Sequence, residues 1–197
     1  SVCMKICPSS TTLTFMPSCA GLRPARRAMF EKLLAFTALT PFTDRLAGKL
    51  SGGMKRKLMV CRALLTEPEI LLLDEPTAGM DAISRRQMWN LLRQLNDRNL
   101  TILLTTHYME EAESLCQRVA FMDRGKLEEI NEPKRMVEQL GHYAVDLMTP
   151  EGLKSHYFRE RKEAIEYLSH VEGQTALRNT TLEDVFVARA EKKERRG

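Results

Sequence analysis

Residues 69–79 read EILLLDEPTAG, a short continuous apolar run, Ile70 to Leu73, closed by two acids, a proline and a glycine. Such a run predicts a strand buried on both faces of a parallel sheet, ended where the acids begin. On its C-terminal side, SRRQMWNLLRQLNDRN (84–99) has the spacing of an amphipathic helix, and LTILLTTH (100–107) reads as a second buried strand. Strand, helix, strand in this order implies a right-handed βαβ crossover, which brings Asp74, Glu75 and His107 to the same carboxyl edge. On its N-terminal side, LSGGMKRKLMVCRALLTEPE (50–69) places Ser51 where a helix N-cap belongs. Met54, Leu58, Cys61, Leu64 and Leu65 then form a helical stripe that should stop near Glu67-Pro68.

Further out the patterns continue. From Pro24 to Leu39, apolar residues Met29, Leu33, Leu34, Phe36 and Leu39 recur at helical spacing, and a turn with a short connecting segment follows. YMEEAESLCQ (108–117) predicts a helix, and RVAFMDRGKLEEI (118–130) a hairpin turning at Arg124-Gly125. After Pro133 the reading is a helix (EPKRMVEQL), a strand (YAVDLM) and two more helices, KEAIEYLSH and LEDVFVARA.

With 197 residues, 43% of them apolar and 28% charged, the chain is long enough for a core-bearing domain with a small appendage. A formal charge of +4, with much of the excess near the ends, is too weak and too dispersed to argue for nucleic acid. The longest apolar runs fall far below the ~20 residues of a membrane span, so a membrane role must come through a partner. Five cysteines (3, 7, 19, 61 and 116) show no zinc-ligand spacing; Cys61 and Cys116 lie in apolar stretches expected to be helical, and all five read as reduced thiols of a cytosolic protein.

The chemistry concentrates at three places. Asp74 and Glu75 at a strand end divide naturally into an acid that holds a magnesium ion and an acid that orients or deprotonates water; the alternative is a solvated pair. Leu50-Ser51-Gly52-Gly53-Met54 opens a helix with free N–H groups and a hydroxyl, features that favour a phosphate, or else serve only as a turn and cap. His107 after a strand is by itself an ordinary loop histidine.

Taken together, LSGG, LLLDEPT, AGMD and LLTTH, in this order and at these gaps, resemble the nucleotide-binding domain of ATP-binding cassette (ABC) proteins. The resemblance runs from about Ala20 to the tail. It implies an α/β P-loop NTPase fold, N-terminally incomplete, with a helical subdomain and a small C-terminal α/β appendage. It further implies that Leu50, Ser51, Gly52, Gly53 and Met54 form the signature loop, which contacts the γ-phosphate of ATP held mainly by the opposite subunit of a head-to-tail dimer. Asp74 corresponds to the magnesium-supporting Walker B acid, Glu75 to the catalytic carboxylate, Asp81 to the dimer-contacting D-loop acid, and His107 to the histidine that senses the γ-phosphate. ATP and Mg²⁺ are the implied cofactors. A second nucleotide-binding domain and a membrane-spanning permease are the implied partners, without nucleic acid, which places the protein on the cytoplasmic side of the cell membrane.

Within the family, LSGGMKRKL, SRRQMW, TTHYMEEAESLCQRVAFMDRGKL and TLEDVF look like exporters of drugs, polysaccharide or lipid-like cargo. The appendage either sets contacts with a partner or packs passively. No G-x-x-x-x-G-K-[ST] occurs, and the family's glutamine-bearing loop and adenine-stacking aromatic residue are not recognisable. The chain thus resembles the C-terminal two-thirds of a complete domain and is expected to be inactive alone. By motif it divides into residues 1–20, an anomalous segment; 21–66, the helical subdomain with the signature; 67–135, the RecA-like half with Walker B, D-loop and switch histidine; and 136–197, the appendage. The opening SVCMKICPSSTTLTFMP reads as a family segment of the type GLYEDLSV.DNLNFYA translated out of frame, which would leave Cys3, Cys7 and Cys19 without function. The rival readings are a non-functional fragment of a decayed gene and a soluble ABC ATPase of DNA repair or translation.

Overall fold

The computed structural model describes residues 24–194. The proposed out-of-frame segment, with Cys3, Cys7 and Cys19, lies outside them. The chain divides into two compact units, one ending at Thr105 and the other beginning at Thr106.

In the first unit α1 (Pro24–Phe36) packs on α2 (Gly52–Leu64) through buried Phe30, Leu34, Leu39, Leu50 and Cys61. The helical spacing read out to Leu39 overshoots. The helix stops at Phe36 because Ala38 turns left-handed (φ 57°), and the N–H of Leu39 reaches back to the carbonyl of Leu34 at 2.8 Å. This 6→1 bond closes the helix end, and Leu39 enters the core as its hydrophobic lock rather than as a helical residue. Two short 3₁₀ turns, Thr40–Phe42 and Ala47–Lys49, form the connecting segment. Ser51 caps α2 by accepting from the N–H of Met54 at 3.3 Å. Beyond Leu64 the chain leaves the helix through Glu67, also left-handed (φ 49°), just before Pro68.

The two predicted strands are β1 (Ile70–Asp74) and β2 (Thr101–Thr105), and they pair parallel, Ile70 beside Thr101 and Asp74 beside Thr105. Between them runs α3 (Ala82–Asn96), which buries Met88, Trp89, Leu91, Leu92 and Leu95. Each such side chain contributes roughly 1.5–3 kcal/mol when fully buried. The expectation that both strands are buried on both faces is corrected. Leu71 is buried, but Ile70, Leu72 and Leu103 are 59%, 70% and 63% exposed. Successive side chains alternate between sheet faces, and α3 packs along β2. An unbroken apolar run does not say how many of its faces are covered.

In the second unit α4 (Met109–Leu115) precedes a hairpin of β3 (Val119–Asp123) and β4 (Lys126–Asn131). Arg124 (φ 48°) and Gly125 (φ 75°) are both left-handed, the pair of conformations that a tight two-residue hairpin requires. Then come α5 (Pro133–Leu140), β5 (Tyr143–Thr149), β6 (Gly152–Phe158), α6 (Arg161–His170), β7 (Thr175–Asn179) and α7 (Leu182–Glu194). Ala112, Phe121, Met136, Leu182 and Val185 form one core. The other lies between α6 and an antiparallel sheet of order β6-β5-β7, with Ala144, Val145 and Ala164 fully buried. Reading one strand and two helices after residue 140 missed β6 and β7. Their sequences, GLKSHYF and TALRN, are polar and flank β5, so neither shows the apolar alternation of a half-buried strand.

Cys61 lies inside α2 as expected, whereas Cys116 caps the end of α4. Both are free thiols, and burial pushes the ionisation of each up. No helix among the described residues is long and apolar enough to cross a membrane.

Candidate functional site

The first unit brings together the acid pair, the Ser51 loop and Asp81. Asp74 is the last residue of β1, exposed, and one of its carboxylate oxygens accepts from the Thr105 hydroxyl at the matching end of β2. Parallel pairing in register is what sets these two side chains side by side. Glu75 leaves the strand with φ 46°. For a residue with a β-carbon the left-handed conformation costs roughly 1–2 kcal/mol. Its N–H donates to the Thr105 carbonyl at 3.0 Å, and its own carbonyl accepts from Ala78 at 3.2 Å. Thr77 is buried beneath this turn, and Gly79 (φ 72°) ends it in a conformation natural to glycine. The left-handed step swings the chain off the sheet line, so that Asp74 and Glu75 leave the strand end on different paths.

The five residues of the Ser51 loop divide in role. Leu50 is 5% exposed in the α1–α2 core, and its N–H donates to the Ala47 carbonyl. Met54 packs against the same core. Ser51 and Gly52 are exposed, and a β-carbon on Gly52 would meet nothing. Gly53 has a different reason to be glycine: a β-carbon there would stand 3.2 Å from both Cβ and Oγ of Ser84, so the residue permits α2 to approach the first turn of α3. Asp81 caps α3, accepting from the Ser84 N–H at 2.9 Å and hydroxyl at 2.6 Å. Those Ser84 bonds, the hydroxyl's foremost, hold the Asp81 carboxyl below the usual carboxylate range.

His107 belongs to the second unit, where it is exposed and its ring lies 4.0 Å from that of Tyr108. Tyr108 is steadied by its N–H bond to the Thr106 hydroxyl, 3.0 Å.

Sequence reading missed two residues of this neighbourhood. Thr105 looked like one more residue of an apolar strand, and only the register of β1 with β2 gives it Asp74. Arg56, within the Lys55-Arg56-Lys57 run, donates to the carbonyls of Glu75 (2.7 Å) and Ala78 (3.2 Å). A three-cation run hides which of its members turns inward.

The donor set at the end of β1, a carboxylate with a neighbouring hydroxyl, consists of hard oxygens. It suits magnesium, which is held by few protein ligands and completes its shell with phosphate oxygens and water. It does not suit a softer ion, and among the described residues no cluster of three or more His, Cys, Asp or Glu exists to hold one.

A sequence model of the family described as ABC transporter matches residues 5–78. Over 126 residues the chain is 45% identical to the probable multidrug ABC transporter ATP-binding protein YbhF of Escherichia coli K12, covering 64% of this chain and 22% of that protein. Over 131 residues it is 43% identical to the Nod factor export ATP-binding protein I of Burkholderia pseudomallei K96243, covering 66% of this chain and 43% of that one. The chain therefore spans less than half the length of these relatives. Among solved structures it resembles cbiO1 of Clostridium perfringens, part of the ABC transporter complex cbiONQ, with 26% identity and a TM-score of 0.55 over 62% of this chain and 50% of that chain. The strand-end acid pair, the capped Ser-Gly-Gly loop and these likenesses agree: the chain matches part of the ATPase domain of ABC transporter ATP-binding proteins and has the α/β P-loop NTPase fold of that domain.

Proposed function

We propose that this chain carries the signature-to-switch portion of an ATP-hydrolysing subunit of an ABC-type exporter, acting on the cytoplasmic face of a membrane through a permease. Glu75 is the hydrolytic acid: its carboxylate orients the attacking water and accepts its proton. Asp74, steadied by the Thr105 hydroxyl, supports Mg²⁺, which when bound offsets the charge of the phosphates. Ser51 and Gly52 offer the exposed hydroxyl and N–H groups of a helix N-terminus to the γ-phosphate of a nucleotide held by a second nucleotide-binding domain. Asp81 contributes to that contact between domains, and His107 senses the same phosphate. Leu50, Gly53 and Met54 serve by shaping the loop. The observation that carries this reading is the end of β1, where Asp74 meets Thr105 and the backbone of Glu75 is turned left-handed and bonded to β2.

The likeness to multidrug and Nod factor export proteins supports export rather than import. The 197 residues contain no phosphate-cradling G-x-x-x-x-G-K-[ST] loop, which supplies most ground-state contacts to a nucleotide. Alone, then, the chain neither holds ATP at micromolar affinity nor releases phosphate. Joined to a segment that supplies a G-x-x-x-x-G-K-[ST] loop, it does both. Equilibrium binding of a fluorescent ATP analogue and a phosphate-release assay, run on both forms, test the reading. Steady hydrolysis by the chain alone, or none by the joined form despite tight ATP binding, would overturn it.

A further inference from the structure

Arg56 reaches two backbone carbonyls that lie 19 and 22 residues further along the chain. It stands in the first turns of α2, three residues after Gly53, and is half-buried. Nη1 donates to the Glu75 carbonyl at 2.7 Å and Nη2 to the Ala78 carbonyl at 3.2 Å. These carbonyls bracket the turn that follows β1, and the N–H of Ala78 itself donates to the Glu75 carbonyl. One guanidinium fork thus spans the whole turn, which a lysine ammonium, as a point donor, cannot do in the same way.

The turn requires such a hold. Glu75 is left-handed without being glycine, and a residue in that region persists only where its surroundings over-determine it. Two restraints come from outside the turn: the Thr105 carbonyl on β2 receives the Glu75 N–H, and Arg56 on α2 grips the Glu75 carbonyl. We propose that Arg56 is a positioning residue that ties the helix carrying the Ser51–Gly53 loop to the backbone of Glu75 and so holds the left-handed turn from which the hydrolytic carboxylate projects. The functional meaning rests on Glu75 being the hydrolytic acid; the mechanical link does not.

Amide hydrogen exchange on the 197-residue chain, residue by residue, tests the link without any nucleotide. Arg56→Ala should speed exchange at the Ala78 and Met80 amides by about tenfold or more, the loss expected when hydrogen bonds to a charged group disappear. The amides in the middle of α2 and the thermal midpoint should change little. Millimolar methylguanidinium should restore protection in Arg56→Ala, and equal ammonium should not. Arg56→Lys should fall between wild type and Arg56→Ala, and if the alanine variant fails to fold, the lysine variant decides alone. Unchanged exchange at Ala78 and Met80, or an equal rise throughout α2 and β1 with no response to methylguanidinium, would overturn the proposal. If Glu75 is not the hydrolytic acid, its replacement leaves hydrolysis intact while these exchange results stand, so the two failures are told apart.

Discussion

Glu75 is the residue proposed as the hydrolytic acid, and its backbone is left-handed. The left-handed backbone of Glu75, bonded to Thr105 and held by Arg56, fixes where its side chain leaves the strand end, and substitution of the carboxylate tests the role proposed for it. In the chain joined to a phosphate-loop segment, Glu75→Gln should retain ATP binding and slow hydrolysis by about 10²–10⁴-fold, the usual worth of a positioned base. Hydrolysis at the wild-type rate would reduce Glu75 to a structural role. Ser51→Arg tests the neighbouring loop: Ser51 is exposed beside open Gly52, so bulk there should abolish turnover by blocking a docked phosphate. Because Ser51 also caps α2, Ser51→Asp is the control; a carboxylate caps as well and should keep the fold while repelling the phosphate. Full turnover in Ser51→Arg would remove the loop from the mechanism.

Among the elements, helices were legible wherever an apolar stripe or a cap marked them. Ser51 stands where local chemistry places a cap, and Asp81, read only as a D-loop acid by resemblance, caps α3 in the same way; both accept from the N–H three residues on. The hairpin at Arg124-Gly125 was legible for a similar reason, since glycine in a tight turn advertises its backbone. The end of α1 was not, because alanine gives no sign that it will turn left-handed. Nor were β6 and β7, which take their places by pairing with β5. Gly141 is a sharper test of how this sheet is joined to α5. It has φ 137°, and a β-carbon there would lie 2.8 Å from the Phe158 carbonyl oxygen in β6. Gly141→Ala should therefore destabilise the second unit by roughly 1–3 kcal/mol, measurable by urea unfolding. A neutral result would mean that the α5–β5 junction yields easily.

Across the molecule, each unit is held by its own long-range contacts, and in the second unit one of these is electrostatic. Arg178 of β7 bonds Asp146 of β5 (2.6 and 3.0 Å) and both carboxylate oxygens of Asp184 in α7 (2.7 Å each). Burial alone would raise both carboxyls. The Arg178 guanidinium, with Ser155 at Asp146 and the Thr181 N–H and hydroxyl at Asp184, outweighs it and holds both below the usual range. Tyr157, whose hydroxyl approaches Asp184, is pushed up to about 12, by burial first and by that charge second. The sign of the pH dependence follows. Carboxyls whose folded values are depressed add stability that is fully present above the unfolded value of about 3.9 and is lost as pH falls through the folded values. Arg178→Met should lower stability at pH 7 by roughly 1.5–3 kcal/mol and move acid unfolding to higher pH, because burial then dominates both carboxyls. Circular dichroism followed from pH 7 to 2 reads it, and an unchanged acid midpoint would show the network to be inert.

What the sequence determined by itself was the chemistry and the local frame: an acid pair at the end of an apolar strand, a Ser-Gly-Gly helix start, the order of elements through α5, and a resemblance carried by four motifs. These are properties of near neighbours in the chain, set by side-chain type, helical and strand periods, and capping. The tertiary structure decided the rest. It exposed one face of β1 and β2, gave Asp74 the Thr105 hydroxyl, put Leu50 and Met54 into the core while leaving Ser51 and Gly52 open, and set Arg56 against Glu75. Each of these depends on register and packing between residues some 20 to 30 positions apart, where many partners satisfy the same local pattern and only the folded arrangement selects one.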